Sequence, residues 1–300
     1  MKKQSGLLLL SLLLILSSCI REGIGEGCYQ DLFINLDWLD TQPVTTEGKP
    51  VTVDVVPVKK GGDGETQQSD IRGTETNVIA GEYVVMGYEK ADNIEVNVDK
   101  QTVSVNSSTD GEAKEPGNFS AGSTVVTIER GKEAPEIKVP LHKQVRKLVI
   151  QLQVKGLYEP GIEKIEAVFD GIALDRHINN GFPPHDGTRR PNAIKRGKIG
   201  YDFDFIEQNQ YGGWYEGSRT LLGIDGGGRQ TISLTIRFSD GFERTVSADI
   251  TDAMDGFHTE ELGQDQDNPW YVLLVLNVGE LEILIDDWED GGTSWIIAES

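Results

Sequence analysis

The most specific chemistry in this chain belongs to Cys19. Leu16-Ser17-Ser18-Cys19 has the pattern of a lipobox. In such a site the cysteine thiolate accepts a diacylglycerol as a thioether, and the small residues before it let the backbone enter the signal peptidase. The preceding residues agree. Lys2 and Lys3 make a positive start, and Leu7 to Leu16 form an apolar core interrupted only by Ser11. A membrane-crossing helix needs about 20 apolar residues, so this shorter stretch fits the core of a signal peptide. Residues 1–18 are therefore expected to be removed, leaving Cys19 as an acylated N-terminus, and two acyl chains suffice for stable attachment to a bilayer. Ile20, not Asp, follows the cysteine, so the outer membrane is the expected location by analogy with bacterial lipoprotein sorting. Gly23, Gly25 and Gly27 make residues 19–28 a flexible tether.

Other reactive residue types do not assemble into a recognisable site. His142, His177, His185 and His258 include no pair at the i, i+4 helical spacing of a zinc enzyme. Gly226-Gly227-Gly228 lacks the following Lys-Ser/Thr of a phosphate cradle. Asp286-Asp287-Trp288-Glu289-Asp290-Gly291 resembles the start of a calcium loop. It places Trp288 where a third oxygen ligand belongs and Ile297 where the closing Glu belongs. Carboxylates are too abundant for any pair to stand out as an acid and base for glycoside hydrolysis. Once Cys19 is acylated, Cys28 has no intramolecular partner, which excludes a disulfide scaffold. No catalytic residue, cofactor or metal is expected. One aromatic group remains: Tyr211, Trp214 and Tyr215 flank Gly212-Gly213. Read as a loop, it would stack on a sugar ring or cover the end of a hydrophobic core.

A formal net charge of −21 repels polyanions, so nucleic acid is excluded as a partner. The length of 300 residues exceeds the usual size of one domain and predicts two.

The elements that must carry these residues are strands. Apolar and polar residues alternate with period two in many short runs, the pattern of half-buried strands. Leu32, Ile34, Leu36 and Trp38 share one face; Asp31, Asn35 and Asp37 share the other. Ile232, Leu234, Ile236 and Phe238 alternate with polar residues, turn at Asp240-Gly241, and return through Val246, Ala248 and Ile250. Tyr201 to Phe205 reads as one strand, and Tyr271–Val278 is apolar on both faces and hence central. Lys59 to Gly73 and Asn106 to Gly117 read as exposed loops. One short helix is predicted within Thr251 to Leu262, capped by Thr251 or Asp252. About seven strands fall in each half, with turns spaced as in β-sandwiches. The boundary lies near Pro140 to Lys143, so residues 29–140 and 141–300 form the two sandwich domains.

These features resemble a known family. The lipobox and tether lead into Tyr29-Gln30-Asp31-Leu32-Phe33-Ile34-Asn35-Leu36-Asp37-Trp38. Val78-Ile79-Ala80-Gly81-Glu82-Tyr83-Val84-Val85 has a Gly-x-Tyr before a core strand, and the terminal strand runs into Asp286-Asp287-Trp288-Glu289. The chain resembles the FimB-like, fimbrillin-associated lipoproteins, the anchor and accessory subunits of type V pili. That resemblance implies an all-β chain of two tandem Greek-key, transthyretin-like β-sandwich domains. It also implies a non-enzymatic role in cell-surface adhesion, with fimbrial shaft subunits as partners through β-strand addition. Polymerising subunits of that kind lose their first strand to an arginine-directed protease. Here no arginine lies between Arg21 and Arg72, so a retained anchor is expected rather than a shaft subunit, unless a lysine-directed protease acts at Lys49. A surface glycan-binding lipoprotein using the Tyr211–Tyr215 loop or the loop around His177 to His185 is the alternative. The tail after Gly291-Gly292, with Trp295, Ile296 and Ile297, is expected either to close the second domain or to dock on a partner's edge.

Overall fold

The computed structural model describes residues 29–38, 53–60, 67–70, 72–156, 161–178, 194–209, 212–257, 269–277 and 282–286. Cys19, Cys28, Tyr211, Trp295, Ile296 and Ile297 lie outside them. Among the described residues the regular structure is β-strand apart from one 3-10 turn at Asp252–Met254. In chain order the strands are β1 (Tyr29–Trp38), β2 (Val53–Lys59), β3 (Gln67–Ser69), β4 (Gly73–Ile79), β5 (Gly81–Glu89), β6 (Ile94–Asn97), β7 (Thr102–Val105), β8 (Ser120–Ile128) and β9 (Ile137–Lys143). They continue as β10 (Arg146–Lys155), β11 (Ile162–His177), β12 (Lys195–Asp202), β13 (Asp204–Asn209), β14 (Gly212–Leu221), β15 (Thr231–Phe238), β16 (Glu243–Asp249), β17 (Trp270–Asn277) and β18 (Glu282–Asp286).

The first half forms one folded sheet in the order β3-β2-β5-β8-β9-β1-β4. Its inner face collects Leu32, Ile34 and Leu36 of β1, Val53 and Val55 of β2, Tyr83 and Val85 of β5, and Val139 and Leu141 of β9. The period-two alternation of β1 makes this possible, since every second side chain points to the same face. The second half stacks a sheet ordered β13-β14-β10-β17-β18 on one ordered β16-β15-β11-β7-β6, with β12 also paired to β11. Leu148, Ile150 and Leu152 from the former meet Phe169, Ile232, Leu234 and Phe238 from the latter in a single apolar core. The expected hairpin forms from β15 and β16, with a register from Thr231↔Asp249 to Arg237↔Glu243. Its turn uses Gly241 at φ +85°, a conformation glycine adopts without penalty.

Four local readings of the sequence change. Tyr201 to Phe205 is two strands: β12 ends at Asp202, the buried Phe203 donates its N–H to Ile165 O (3.2 Å), and β13 starts in the opposite sheet. Alternation continues through such a corner, so periodicity cannot reveal it. In the Thr251–Leu262 stretch the described residues form only a 3-10 turn, and Thr251 makes no side-chain cap. Instead its hydroxyl accepts from the Gln230 N–H (3.0 Å). Gly212-Gly213-Trp214-Tyr215 is the start of β14, not a loop. A side chain at Gly212 would come within 2.0 Å of Val154 O, so only glycine lets β10 approach here. Finally, β6 and β7 precede Pro140 in sequence yet pair into the second half, with Thr102–Ser104 of β7 opposite Asp175–His177 of β11.

Candidate functional site

The first strand is the feature on which the resemblance turns. β1 lies inside its sheet, antiparallel to β4 over Tyr29↔Ile79 to Asn35↔Gly73 and parallel to β9 over Ile34↔Ile137 to Trp38↔Leu141. Leu32 and Ile34 are at most 1% exposed. Burying apolar side chains of this size contributes about 1.5–3 kcal/mol each, so β1 is a structural member of its core. Gly73, at φ +136°, brings the start of β4 against the β1 backbone; a Cβ there would meet Ile34 O at 1.9 Å. Arg72 sits immediately before this glycine and is exposed. A cut at Arg72 would free β1, β2 and β3 together.

Open sheet edges are the second feature, because unpaired backbone groups on an edge strand can template a strand from another chain. β13 and β18 are the outer strands of the five-stranded sheet. β13 carries Phe205 and Ile206 at 55% and 58% exposure, and its pairing to β14 is bulged between Phe205 and Glu207. Phe205 also meets Tyr215 edge-on, with ring centroids 5.3 Å apart. Among the described residues β18 pairs only with β17, from Leu273↔Asp286 to Asn277↔Glu282.

The two halves meet through a dense polar and apolar junction. Arg176 is 4% exposed and donates to Leu222 O from Nε (2.9 Å), to His177 O from Nη1 (3.1 Å) and to Gln144 O from Nη2 (2.6 Å). Gln144, 1% exposed, in turn donates from Nε2 to Ala121 O (3.0 Å) and His142 O (3.2 Å). Around them Met86, Val103, Phe119, Val145, Ile178 and Leu222 form a separate apolar cluster drawn from both halves. The 106–117 segment, expected to be a free loop, is also tied across. Ala113 N–H donates to Lys198 O (2.8 Å), Lys198 N–H to Gly111 O (3.0 Å), and Thr220 N–H to Glu115 Oε1 (2.8 Å). The Ser108 hydroxyl and the Lys198 ammonium hold the Asp110 carboxyl below its usual range.

That segment walls a cleft of about 510 Å³ with Glu112 and Glu115 on one side and Glu166, Val168, Asp202, Arg219 and Thr235 around it. Three of its four described carboxylates are paired with cations. Lys164 pairs with Glu166 (2.7 Å) and Asp202 (3.5 Å), and Arg219 reaches Asp202 (3.4 Å) and Glu115 (3.9 Å). Tyr201 backs the cleft at 2% exposure, and its hydroxyl has no hydrogen-bond partner among the described residues. Burial pushes its ionisation far above the normal tyrosine range, with Arg219 opposing and Glu115 reinforcing the shift. Among the described residues no histidine, cysteine or serine lines this space. Among the described residues no group of three His, Cys, Asp or Glu side chains is placed to hold a metal ion.

Of the aromatic residues singled out from sequence, Trp214 and Tyr215 are described and Tyr211 is not. Adjacent in β14, they point to opposite faces of the sheet. Tyr215 packs against the core of the second half, while the Trp214 Nε1–H is buried and without an acceptor among the described residues. The two therefore do not share one platform. Arg176 and Gln144 escaped sequence reading altogether, because nothing local distinguishes a buried arginine near a strand end from a solvated one.

No protein-family model and no curated sequence matches the chain. Solved structures do. A candidate adhesin from Bacteroides ovatus superposes with a TM-score of 0.57 at 16% identity, over 78% of this chain and 90% of that one. The fimbrial anchor protein Mfa2 from Porphyromonas gingivalis gives 0.56 at 12% identity, over 87% and 98%. A candidate polysaccharide-binding protein from Bacteroides thetaiotaomicron gives 0.53 at 10%, over 89% and 98%. At these identities the likeness establishes one thing: this chain shares the all-β fold of those proteins over most of its length.

Proposed function

We propose that this protein is a non-enzymatic, lipid-anchored fimbrial anchor or accessory subunit. Its two tandem Greek-key, transthyretin-like sandwiches hold a pilus at the outer membrane through acyl chains on Cys19. The supporting observation is the position of β1: flanked on both sides, packed into its core, and without an internal arginine that would release it alone. A subunit that keeps its first strand offers no vacated groove to a donor and ends a polymer rather than extending it. The fold shared with the fimbrial anchor Mfa2 points the same way. On this reading the shaft subunit engages an open edge of the second half, where β13 presents Phe205 and Ile206. Backbone hydrogen bonds would supply affinity there, and side-chain pockets register.

The test is membrane fractionation with pull-down from the native bacterium. The intact protein is expected in the outer-membrane fraction, carrying shaft subunits with it. Cys19→Ser is expected to release it from the membrane, with loss of the acyl mass from the N-terminal peptide. Normal membrane retention of Cys19→Ser, or pili that assemble and stay attached in a deletion strain, would overturn the reading.

A further inference from the structure

We infer that the fold is a directional load-bearing device, built to resist tension along the chain and to yield first at β18, the last strand among the described residues; the biological use of this device rests on the anchor reading above. In the first half, tension arriving from the N-terminal side enters β1 at Tyr29. It leaves through the far end of β9 at Lys143, which passes directly into β10 across Gln144 and Val145. β1 and β9 are parallel. Pulling the start of one against the finish of the other slides them lengthwise. The ladder from Ile34↔Ile137 to Trp38↔Leu141 is then loaded all at once, together with the longer one that binds β1 to β4.

The second half repeats the arrangement with a different ending. Its entry strand β10 is parallel to β17, from Leu148↔Trp270 to Lys155↔Asn277, and is flanked on its other side by β14. Tension between the start of β10 and the end of β17 again loads a parallel ladder in shear. β18, however, is antiparallel to β17 and runs back toward the end of the sheet where β10 begins, finishing beside Leu273, which lies opposite Gln151. A pull on the end of β18 opens Leu273↔Asp286 first and then each pair in turn down to Asn277↔Glu282. β18 therefore peels at low force, after which the β10–β17 shear ladder takes the load. At the junction, β7 paired on β11 and Arg176 bonded to Gln144 O and Leu222 O keep the short link from acting as a hinge.

Single-molecule force spectroscopy on the full chain tests this, with Cys19 and Cys28 replaced by serine. Handles are attached at Tyr29→Cys and Asp286→Cys, the two ends of the described strands. The expected trace begins with a low-force gain of about 2 nm, the length freed when the five residues of β18 leave β17. Ruptures at much higher force then release each half. A control attaches handles at Tyr29→Cys and Glu129→Cys, two positions at the same end of the β1 ladder, where Gln30 Nε2–H bonds Glu129 O (3.0 Å). This geometry peels β1 one pair at a time, and its rupture force is expected to be lower by about threefold or more, since the same bonds are no longer loaded together. Equal rupture forces in the two geometries, or whole-half rupture before the small first step, would overturn the inference while leaving the anchor reading standing. Failure of the pull-down would remove the anchor reading while leaving the force hierarchy intact.

Discussion

Arg176→Met is the perturbation that most directly probes how the two halves are joined. Methionine keeps the length and apolar stem of the side chain, so the adjoining apolar cluster of Val145, Ile178 and Leu222 keeps its filler. It removes the donors that serve Leu222 O, His177 O and Gln144 O. Hydrogen bonds from a charged donor contribute about 1.5–3 kcal/mol each, and a buried carbonyl left bare costs about 1–3 kcal/mol. Partial relaxation and entry of water offset some of that loss. A net destabilisation of about 3–5 kcal/mol is expected, in the range for breaking a buried charged network. For a chain of this size each kcal/mol shifts Tm by about 2–4 °C, so Tm falls by about 10 °C. The second half should also lose its coupling to the first, splitting one thermal transition into two. Circular dichroism melts together with differential scanning calorimetry measure both effects. Arg176→Lys, which keeps the charge but loses the planar fork, is expected to recover only part of the loss. A variant within about 1 kcal/mol of the parent, melting in a single step, would refute the reasoning.

Tyr201→Phe removes a buried hydroxyl that has no partner among the described residues, so stability in urea is expected to hold or rise by about 1 kcal/mol; a clear loss would mean that the hydroxyl is satisfied. Gly122→Ala places a Cβ 1.7 Å from Pro140 O, where β8 meets β9, and should cost about 3 kcal/mol or more or abolish soluble expression, while wild-type stability would show that β9 can move aside. Glu89 has its carboxyl pushed up by burial, against the opposing pull of Ser120 and Lys143. An acid whose folded-state pKa lies above its unfolded value binds its proton more tightly when folded, so it favours folding at low pH and loses that advantage as pH rises through the folded pKa. Glu89→Gln should therefore raise Tm at pH 7 and change it little at pH 4; the reverse ordering would contradict this assignment. Asp249 behaves oppositely: burial raises its carboxyl, but the Thr251 hydroxyl and N–H and the Arg229 guanidinium outweigh it and hold it below the usual range. Asp249→Asn should destabilise the protein at pH 7 and lose that effect as pH falls below the carboxylate range, and equal effects at both pH values would argue against it.

Much of the fold is legible in the order of residues. Period-two alternation is a local property of a half-buried strand, so β1 and the β15–β16 hairpin stand out, the latter with its Asp240-Gly241 turn. The double-sided apolar run of β17 announced a central strand, and it lies between β10 and β18. The proposal that Cys19 is acylated rests on the 18 residues before it and on no contact within the fold. Tertiary structure decided what depends on contacts between distant residues. Parallel pairing of β1 with β9 and of β10 with β17 joins segments more than a hundred residues apart, and nothing in either partner encodes the other. The crossing of β6 and β7 into the second half, the corner at Phe203 and the burial of Arg176 are of the same kind. Alternation specifies which side of a strand is dry. It does not specify which strand lies beside it, because that choice is made by the packing of whole faces and by backbone groups that are chemically identical at every residue.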